Sequence, residues 1–264
     1  QRQMCIRDRK RTLGLTLLLF ATLFSCMRQE KPLPAELSRA ESVMWEHPDS
    51  ALSILRSMPQ SSLSIGKNYA TWALLLAQAR DKVYGKRLPD SLNIPSSDKL
   101  VQDAMDYFEK EGDLKRMAQT YYYKGQLLKD QKKITEAMPF FLKSKEMMTK
   151  LDEPLFTYLI CQSLGNMYRY QDLYEESLVQ LKDAYQYALR SGNGERISYA
   201  LSELGRTYVH KNEMDSALFY FGKSLDNAQR LGNIELEAMA MGELGVVYNK
   251  LSQGEKALHY TRKE

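Results

Sequence analysis

Hydrophobic positions in the second half of the chain recur with two periods. Within "SLGNMYRYQDLYEESL", apolar residues three and four positions apart lie on one face of a predicted helix. A polar turn at Gln171 and Asp172 follows, and a second periodic run then begins. The same pattern returns every forty residues, and a fixed spacing of 20–50 residues is typical of repeat proteins. Each unit therefore predicts two helices joined by a short turn.

Three columns of residues stay in step across these units. A glycine inside a helix costs about 1 kcal/mol relative to alanine, so its recurrence needs a physical reason. We predict that the two helices of each unit cross closely at the glycine, where any side chain would push them apart. The columns are Gly125, Gly165, Gly205 and Gly245; Tyr168, Tyr208 and Tyr248, with Leu128 in the first unit; and Ala137, Ser177, Ala217 and Ala257.

Glycine also marks the end of the second helix in several units. A glycine just past a helix end suits the left-handed C-cap conformation, and an Asp or Asn after it can cap the next helix. These pairs are Gly112 with Asp113, Gly192 with Asn193, and Gly232 with Asn233. We therefore place a regular array over residues 113–264.

The region before this array is less regular. Helical segments begin near His47, Asn68 and Asp98, and a loop beginning at Gly85 separates the last two. We interpret residues 35–112 as irregular N-terminal helical repeats. The predicted fold is all-α throughout.

The columns resemble the tetratricopeptide-repeat pattern W-x2-L-G-x2-Y, then A-x3-F, then P. "LGNMY", "LGRTY" and "LGVVY" match the first half, and "AMPFF" and "ALFYF" match the second. The closing proline is missing, the repeat is forty residues long instead of thirty-four, and the tryptophan column holds Tyr121, Cys161, Leu201 and Met241. The resemblance implies a right-handed α-solenoid of antiparallel helix pairs that binds a protein or peptide. It extends to tetratricopeptide lipoproteins and sensor-regulators common in the Bacteroidetes.

The N-terminal segment resembles a bacterial lipoprotein signal. A basic start precedes an apolar run from Leu13 to Phe24 and then Cys26, and the run is shorter than the ~20 residues that a spanning helix needs. We interpret residues 10–26 as a signal peptide, Cys26 as the lipidated residue, and residues 27–34 as a tether. This predicts a lipid-anchored protein of the bacterial envelope that faces the periplasm. An uncleaved membrane anchor or a buried helix is the alternative.

The two extremities of the chain suggest a fragment. Residues 1–9 fit neither the signal nor the repeats, and we interpret them as a non-native leader. At the other end, "GEKALHYTRKE" stops inside a predicted helix, although solenoids normally end in a polar capping unit. We expect the array to be truncated at its C-terminus.

Composition argues against several classes of function. Of the 37 basic and 33 acidic residues, five basic and one acidic precede Cys26, which leaves 32 of each. This balance, without a basic cluster, predicts no nucleic-acid binding. Cys161 would be the one remaining cysteine in the mature chain, and its apolar column predicts a buried thiol. We find no catalytic motif and no metal-ligand pair, and we expect no cofactor and no enzymatic activity.

The predicted peptide-binding groove lies on the first helices, which line the concave side of stacked helix pairs. Gln126, Asn166 and Arg206 recur there forty residues apart. Amides can bond a peptide backbone, and Arg or Lys can hold a carboxylate. The full set is Tyr122, Gln126, Lys129, Gln162, Asn166, Arg169, Tyr170, Ser202, Arg206 and His210.

Three functional classes remain open from the sequence. The first is a peptide- or protein-binding scaffold, which would serve as the sensory arm of a larger signalling protein. The second is a structural assembly factor for envelope complexes, and the third is an enzyme whose catalytic domain follows residue 264. For any one groove residue, a solvated position without a dedicated ligand is the alternative.

Overall fold

The computed structural model describes residues 32–59, 63, 66–84 and 97–261. The predicted leader, the signal peptide with Cys26 and most of the loop beginning at Gly85 lie outside these residues. The first six helices are α1 (Ala35–Val43), α2 (Pro48–Ser57), α3 (Lys67–Tyr84), α4 (Ser97–Glu111), α5 (Leu114–Asp130) and α6 (Ile134–Lys150). The next six are α7 (Pro154–Tyr170), α8 (Tyr174–Ser191), α9 (Gly194–His210), α10 (Met214–Leu231), α11 (Ile234–Lys250) and α12 (Gly254–Thr261).

The helices stack as successive pairs, α1 with α2 through α11 with α12. The most extensive contacts are within pairs, such as α7 with α8 and α9 with α10, and each pair also packs on the next. Odd-numbered helices of neighbouring pairs touch as well, as α7 and α9 do. The part of the chain that the structure describes contains helices and no strands, which confirms the predicted all-α solenoid.

The recurring glycines lie where the two helices of a pair approach most closely. A β-carbon on Gly165 would lie 2.6 Å from Leu181 Cγ, and one on Gly205 would lie 2.5 Å from the Phe221 ring. These separations are well inside van der Waals contact. The glycine column thus allows the close packing of each first helix on its partner.

The predicted caps are confirmed at the ends of the regular units. Gly192 and Gly232 adopt left-handed φ values of 67° and 63° after α8 and α10. Asn193 then accepts a hydrogen bond from the backbone N–H of Arg196, and Asn233 accepts one from Leu236. Gly112 and Asp113 form the same arrangement before α5.

Residues other than glycine also take left-handed conformations at repeated positions. Asp152 occupies the column of Gly192 and Gly232 with φ 54°. The turns inside the pairs use a second column forty residues apart, which comprises Lys132, Asp172, Asn212 and Ser252. Only the polar character of these turns was visible in the sequence.

Cys161 is fully buried among the helices of the middle units, as its column predicts. It packs with Tyr158, Ala184, Ala188 and Ala200. Burial raises the pKa of the thiol to about 11, mainly because the thiolate would lose its hydration. A buried, neutral thiol packed among such side chains is a packing residue.

Candidate functional site

The inner face of the N-terminal half is filled by side chains from distant helices. The Trp45 ring, which follows α1, meets Phe156 of α7 edge to face with 5.5 Å between centroids. Lys82 Nζ of α3 lies 3.5 Å from the Trp45 ring centre, and Tyr122 of α5 lies 6.0 Å from Phe156. We call Trp45, Lys82, Tyr122 and Phe156 the inner cluster. Because Trp45, just after α1, reaches Phe156 of α7 three helix pairs along, the array curves with its odd-numbered helices on the concave side.

Tyr122 is therefore a core residue, and the prediction that it contacts a ligand is wrong. Only 4% of its surface is exposed. Its ring packs edge to face on Tyr123 and Phe141 as well as Phe156, and its hydroxyl accepts a hydrogen bond of 2.7 Å from Gln126 Nε2. Phe141 and Phe156 come from α6 and α7, and a periodic pattern within α5 cannot reveal such neighbours.

The other predicted residues of the central units are half-buried. Gln126, Lys129, Gln162 and Asn166 all fall in this class. The Oε1 atom of Gln126 and the Oδ1 atom of Asn166 are shielded from solvent and accept no hydrogen bond. These four residues line α5 and α7, but none of them borders the cavity described next.

The C-terminal half carries an open cavity of about 390 Å³ on the same side. We call it the C-terminal cavity, and it is lined by Arg169, Arg206, Val209, His210, Phe221, Met239, Gly242, Glu243 and Val246. Gly242, His210 and Val246 are exposed, so the cavity opens to solvent. Its walls combine aliphatic and aromatic surface with two guanidinium groups and a carboxylate.

Four alternating charges cross the cavity wall from α7 to α11. Arg169 Nη1 of α7 donates to Glu203 Oε2 of α9 at 2.7 Å, and Arg206 Nη1 donates to Glu203 Oε1 at 2.7 Å. Arg206 Nη2 then lies 2.5 Å from Glu243 Oε1 of α11. We call these four residues the charge ladder. It links three successive first helices.

Glu203 is the central support of this ladder. The side chains of Glu203 and Arg169 are each 10% exposed. Arg169 also donates to the backbone carbonyl of Glu203 at 3.3 Å. A buried carboxylate held by two guanidiniums fixes both arginines beside the cavity, because charge-assisted hydrogen bonds are about twice as strong as neutral ones.

The structure brings together only part of the predicted groove. Arg169, Arg206 and His210 border the C-terminal cavity. Ser202 does not, because it is fully buried and its hydroxyl lies 3.1 Å from that of Ser224, so its prediction as a ligand contact is wrong. Tyr170 is 81% exposed at the end of α7 and does not line the cavity.

Sequence reasoning missed the two glutamates of the charge ladder. Carboxylates usually lie on solvated helix faces, but the side chains of Glu203 and Glu243 are only 10% and 13% exposed. Both precede the Leu-Gly pair of their unit, forty residues apart in "ELG". That shared register was a usable signal. Val209, Met239 and Val246 were missed because their exposure depends on how the helix pairs are stacked.

The described residues contain no group of three or more His, Cys, Asp or Glu side chains arranged to hold a metal ion. Among the helices that the structure describes, none combines the length and apolar character needed to cross a membrane. These observations apply only to the described parts of the chain.

Comparison with solved structures places the fold among tetratricopeptide-repeat proteins. The chain is similar to a signal transduction ATPase of the STAND type with a tetratricopeptide repeat sensor, from Pyrococcus horikoshii, at 18% identity and TM-score 0.66. That match covers 85% of this chain and 34% of the other, so the chain spans about a third of the ATPase.

Two further structures support the same fold. The apo form of RapI matches at 15% identity and TM-score 0.67, covering 85% of this chain and 62% of RapI. PilW, a type IV pilus biogenesis factor, matches at 17% identity and TM-score 0.57, covering 85% and 88%. No family model and no curated protein sequence matches the chain. The tetratricopeptide-like architecture predicted from the columns is thereby confirmed.

Proposed function

We propose that the chain is a non-enzymatic scaffold that binds a protein or peptide in the C-terminal cavity. The observation that carries this proposal is the open cavity itself, on the inner side of a tetratricopeptide-like solenoid, with fixed guanidinium groups among apolar walls. Binding sites for other molecules are commonly concave, largely apolar and marked by a few positioned polar groups. In the N-terminal half, the Trp45 and Phe156 rings instead pack against each other on the inner face.

The chemistry of the cavity suits a segment of polypeptide. Val209, Met239 and Val246 offer surface to apolar side chains, while Arg206 can donate to a backbone carbonyl with the N–H groups that its ion pairs do not use. The Arg206 side chain is 38% exposed, so it is accessible.

A matched pair of valines tests this proposal. Val246 is 55% exposed in the cavity, and Val179 is 57% exposed on α8, the second helix of its pair. We expect Val246→Trp to fill the cavity and abolish capture of partners from a bacterial envelope extract, and Val179→Trp to leave capture unchanged. Loss of capture with Val179→Trp alone would place the binding face on the other side. Arg206 is unsuitable for this test, since it also pairs with Glu203 and Glu243.

We further propose that the scaffold is presented on the bacterial envelope through a lipid on Cys26, facing the periplasm. The support is the signal-like sequence before Cys26, which lies outside the described residues. Cys26→Ser should move the protein from membrane to soluble fractions and remove labelling by a fatty-acid analogue. Equal labelling of both proteins would contradict the anchor.

A further inference from the structure

Glu203 and Glu243 occupy the same position in successive repeats but have different surroundings. Each receives an arginine from the preceding first helix, Arg169 for Glu203 and Arg206 for Glu243. Glu203 also receives Arg206 from three residues along its own helix. The corresponding residue of α11 is Val246, which carries no charge.

Glu243 is consequently left with an incomplete set of partners. Its side chain is 13% exposed and both carboxylate oxygens are shielded from solvent, with the Ser202 hydroxyl as a neutral hydrogen-bonding neighbour. Among the described residues, the one ion pair recorded for Glu243 is with Arg206. A shielded carboxylate with one cationic partner is less well compensated than Glu203 with two, and a second cationic donor can stabilise it.

The side chains around this carboxylate suit a long cation. Val246 and Met239, beside Glu243 on α11, give the cavity an aliphatic wall. Lys and Arg side chains pack their methylene stems on apolar surface and extend a charged head beyond it. The charge ladder alternates base, acid, base, acid, so a further base after Glu243 continues the order already present in the molecule.

We propose that Glu243 is the subsite for a Lys or Arg side chain of the bound peptide. This rests on the proposed function and specifies the chemistry of the partner. The incoming cation takes, relative to Glu243, the place that Arg206 takes relative to Glu203. Its aliphatic stem packs against Val246 and Met239.

The electrostatics of the site support a cation at this point. Burial raises the pKa of Glu243 and the nearby Glu203 charge adds to the rise, while Arg206 and the Ser202 hydroxyl only partly oppose it, so the carboxylate is undercompensated. The ionisable groups around it are Arg206 and Glu203 from α9, with Arg169 and His210 farther along the same wall. Arg169 and Arg206 are already paired with Glu203, which limits their repulsion of a new cation.

Titration calorimetry with capped pentapeptides tests the subsite. The probes are Ala-Leu-Arg-Leu-Ala, its Lys counterpart, and controls with neutral citrulline or with Glu at the centre. We expect the Arg and Lys peptides to bind at least about tenfold more tightly than the citrulline peptide, as expected for an added charge-assisted contact. Equal binding of the Arg and citrulline peptides, tightest binding of the Glu peptide, or no binding of any peptide would overturn the proposal.

Two variants connect this selectivity to Glu243. Glu243→Gln should remove the preference for Arg over citrulline, whereas Glu235→Gln, an exposed change on the same helix, should keep it. Val246→Arg supplies the missing cation internally and should block the Arg peptide while the melting temperature is retained. If Glu243→Gln still captures the partner, the subsite is rejected and the proposed scaffold function is kept. If the wild type captures no partner, the proposed function itself is rejected.

Discussion

The two halves of this solenoid use the same side of the helix pairs in different ways. In the N-terminal half, Trp45, Tyr122 and Phe156 meet across three first helices and fill the inner face. In the C-terminal half, Arg169, Glu203 and Arg206 are arranged side by side along the wall of an open cavity. Large aromatic side chains fill the inner face of the first region, whereas the second region retains an open cavity with paired charges in its wall. A regular repeat therefore does not guarantee a uniform binding groove.

The core follows the same division. One continuous buried cluster joins residues from α1 to α7, with Trp45 packed at its margin. The C-terminal units instead contain smaller separate clusters, such as Ala217, Phe221, Leu244 and Val247. In repeat proteins, stability is approximately the sum of the units and their neighbouring interfaces. We infer that the inner cluster adds contacts beyond nearest neighbours only in the N-terminal half.

Removing an aromatic ring from the inner cluster should have the largest effect. Phe156→Ala deletes a side chain that is 5% exposed and contacts both Trp45 and Tyr122. We expect a loss of about 3–5 kcal/mol in the free energy of unfolding, as for other buried Phe→Ala changes. Tyr170→Ala, at an 81% exposed site on the same helix, should stay within about 0.5 kcal/mol. Urea denaturation of both variants measures the difference, and similar midpoints would show that the inner cluster does not stabilise the fold.

Neutralising the centre of the charge ladder should cost somewhat less. Glu203→Gln keeps the shape but leaves the buried Arg169 without its carboxylate, and breaking a buried pair in this way costs about 3 kcal/mol. The control is Glu146→Gln, which removes an exposed ion pair with Lys150 and should leave the denaturation midpoint unchanged. Equal behaviour of the two variants would contradict the structural role of Glu203.

Two glycines in neighbouring helices, one tightly packed and one with open space around it, test the close packing of each pair. Gly205→Ala places a methyl group against the Phe221 ring and should destabilise the protein by about 1–3 kcal/mol through overpacking. Gly222→Ala, inside α10 with open space around it, should instead stabilise the protein by about 0.5–1 kcal/mol through helix propensity. Thermal denaturation of the two variants should show shifts of opposite sign. If Gly205→Ala stabilised the protein, α9 and α10 would not cross closely at Gly205.

The contribution of Glu243 to the pH dependence of stability should be the smallest of these effects. Because burial raises the pKa of Glu243 above the ordinary glutamate value of 4.5, the folded protein binds this proton more tightly than the unfolded chain. The stability of the wild type relative to Glu243→Gln should therefore increase as pH falls through the raised pKa towards 4.5. Denaturation of both proteins at several pH values checks this sign. A difference that is constant with pH would show that Glu243 has no raised pKa.

Local features of the fold were predictable from sequence because they repeat. The columns of Gly165 and Gly205 and the caps at Asn193 and Asn233 depend on contacts within one unit or between adjacent units. Their physical causes are short-range, so one repeat explains the others. Asp152 is the exception, since it takes the left-handed conformation where its counterparts are glycines.

The site was less predictable because it depends on contacts between units. Tyr122 occupies a first-helix position like those of other groove candidates, yet Phe156 and Phe141 bury it. Glu203 has the composition of a surface residue, but two arginines from α7 and α9 make its burial favourable. The pattern of side chains within one helix cannot specify which side chains of the next helix will contact it.

Site-specific crosslinking shows whether a partner occupies the C-terminal cavity. A benzoyl-phenylalanine introduced at Val246 would report on the C-terminal cavity, and one at Val179, with matched exposure, would report on the second helices. In cells that produce the full protein, we expect crosslinked partner adducts from position 246 and none from position 179. Adducts from position 179 without any from position 246 would contradict a binding site in the C-terminal cavity.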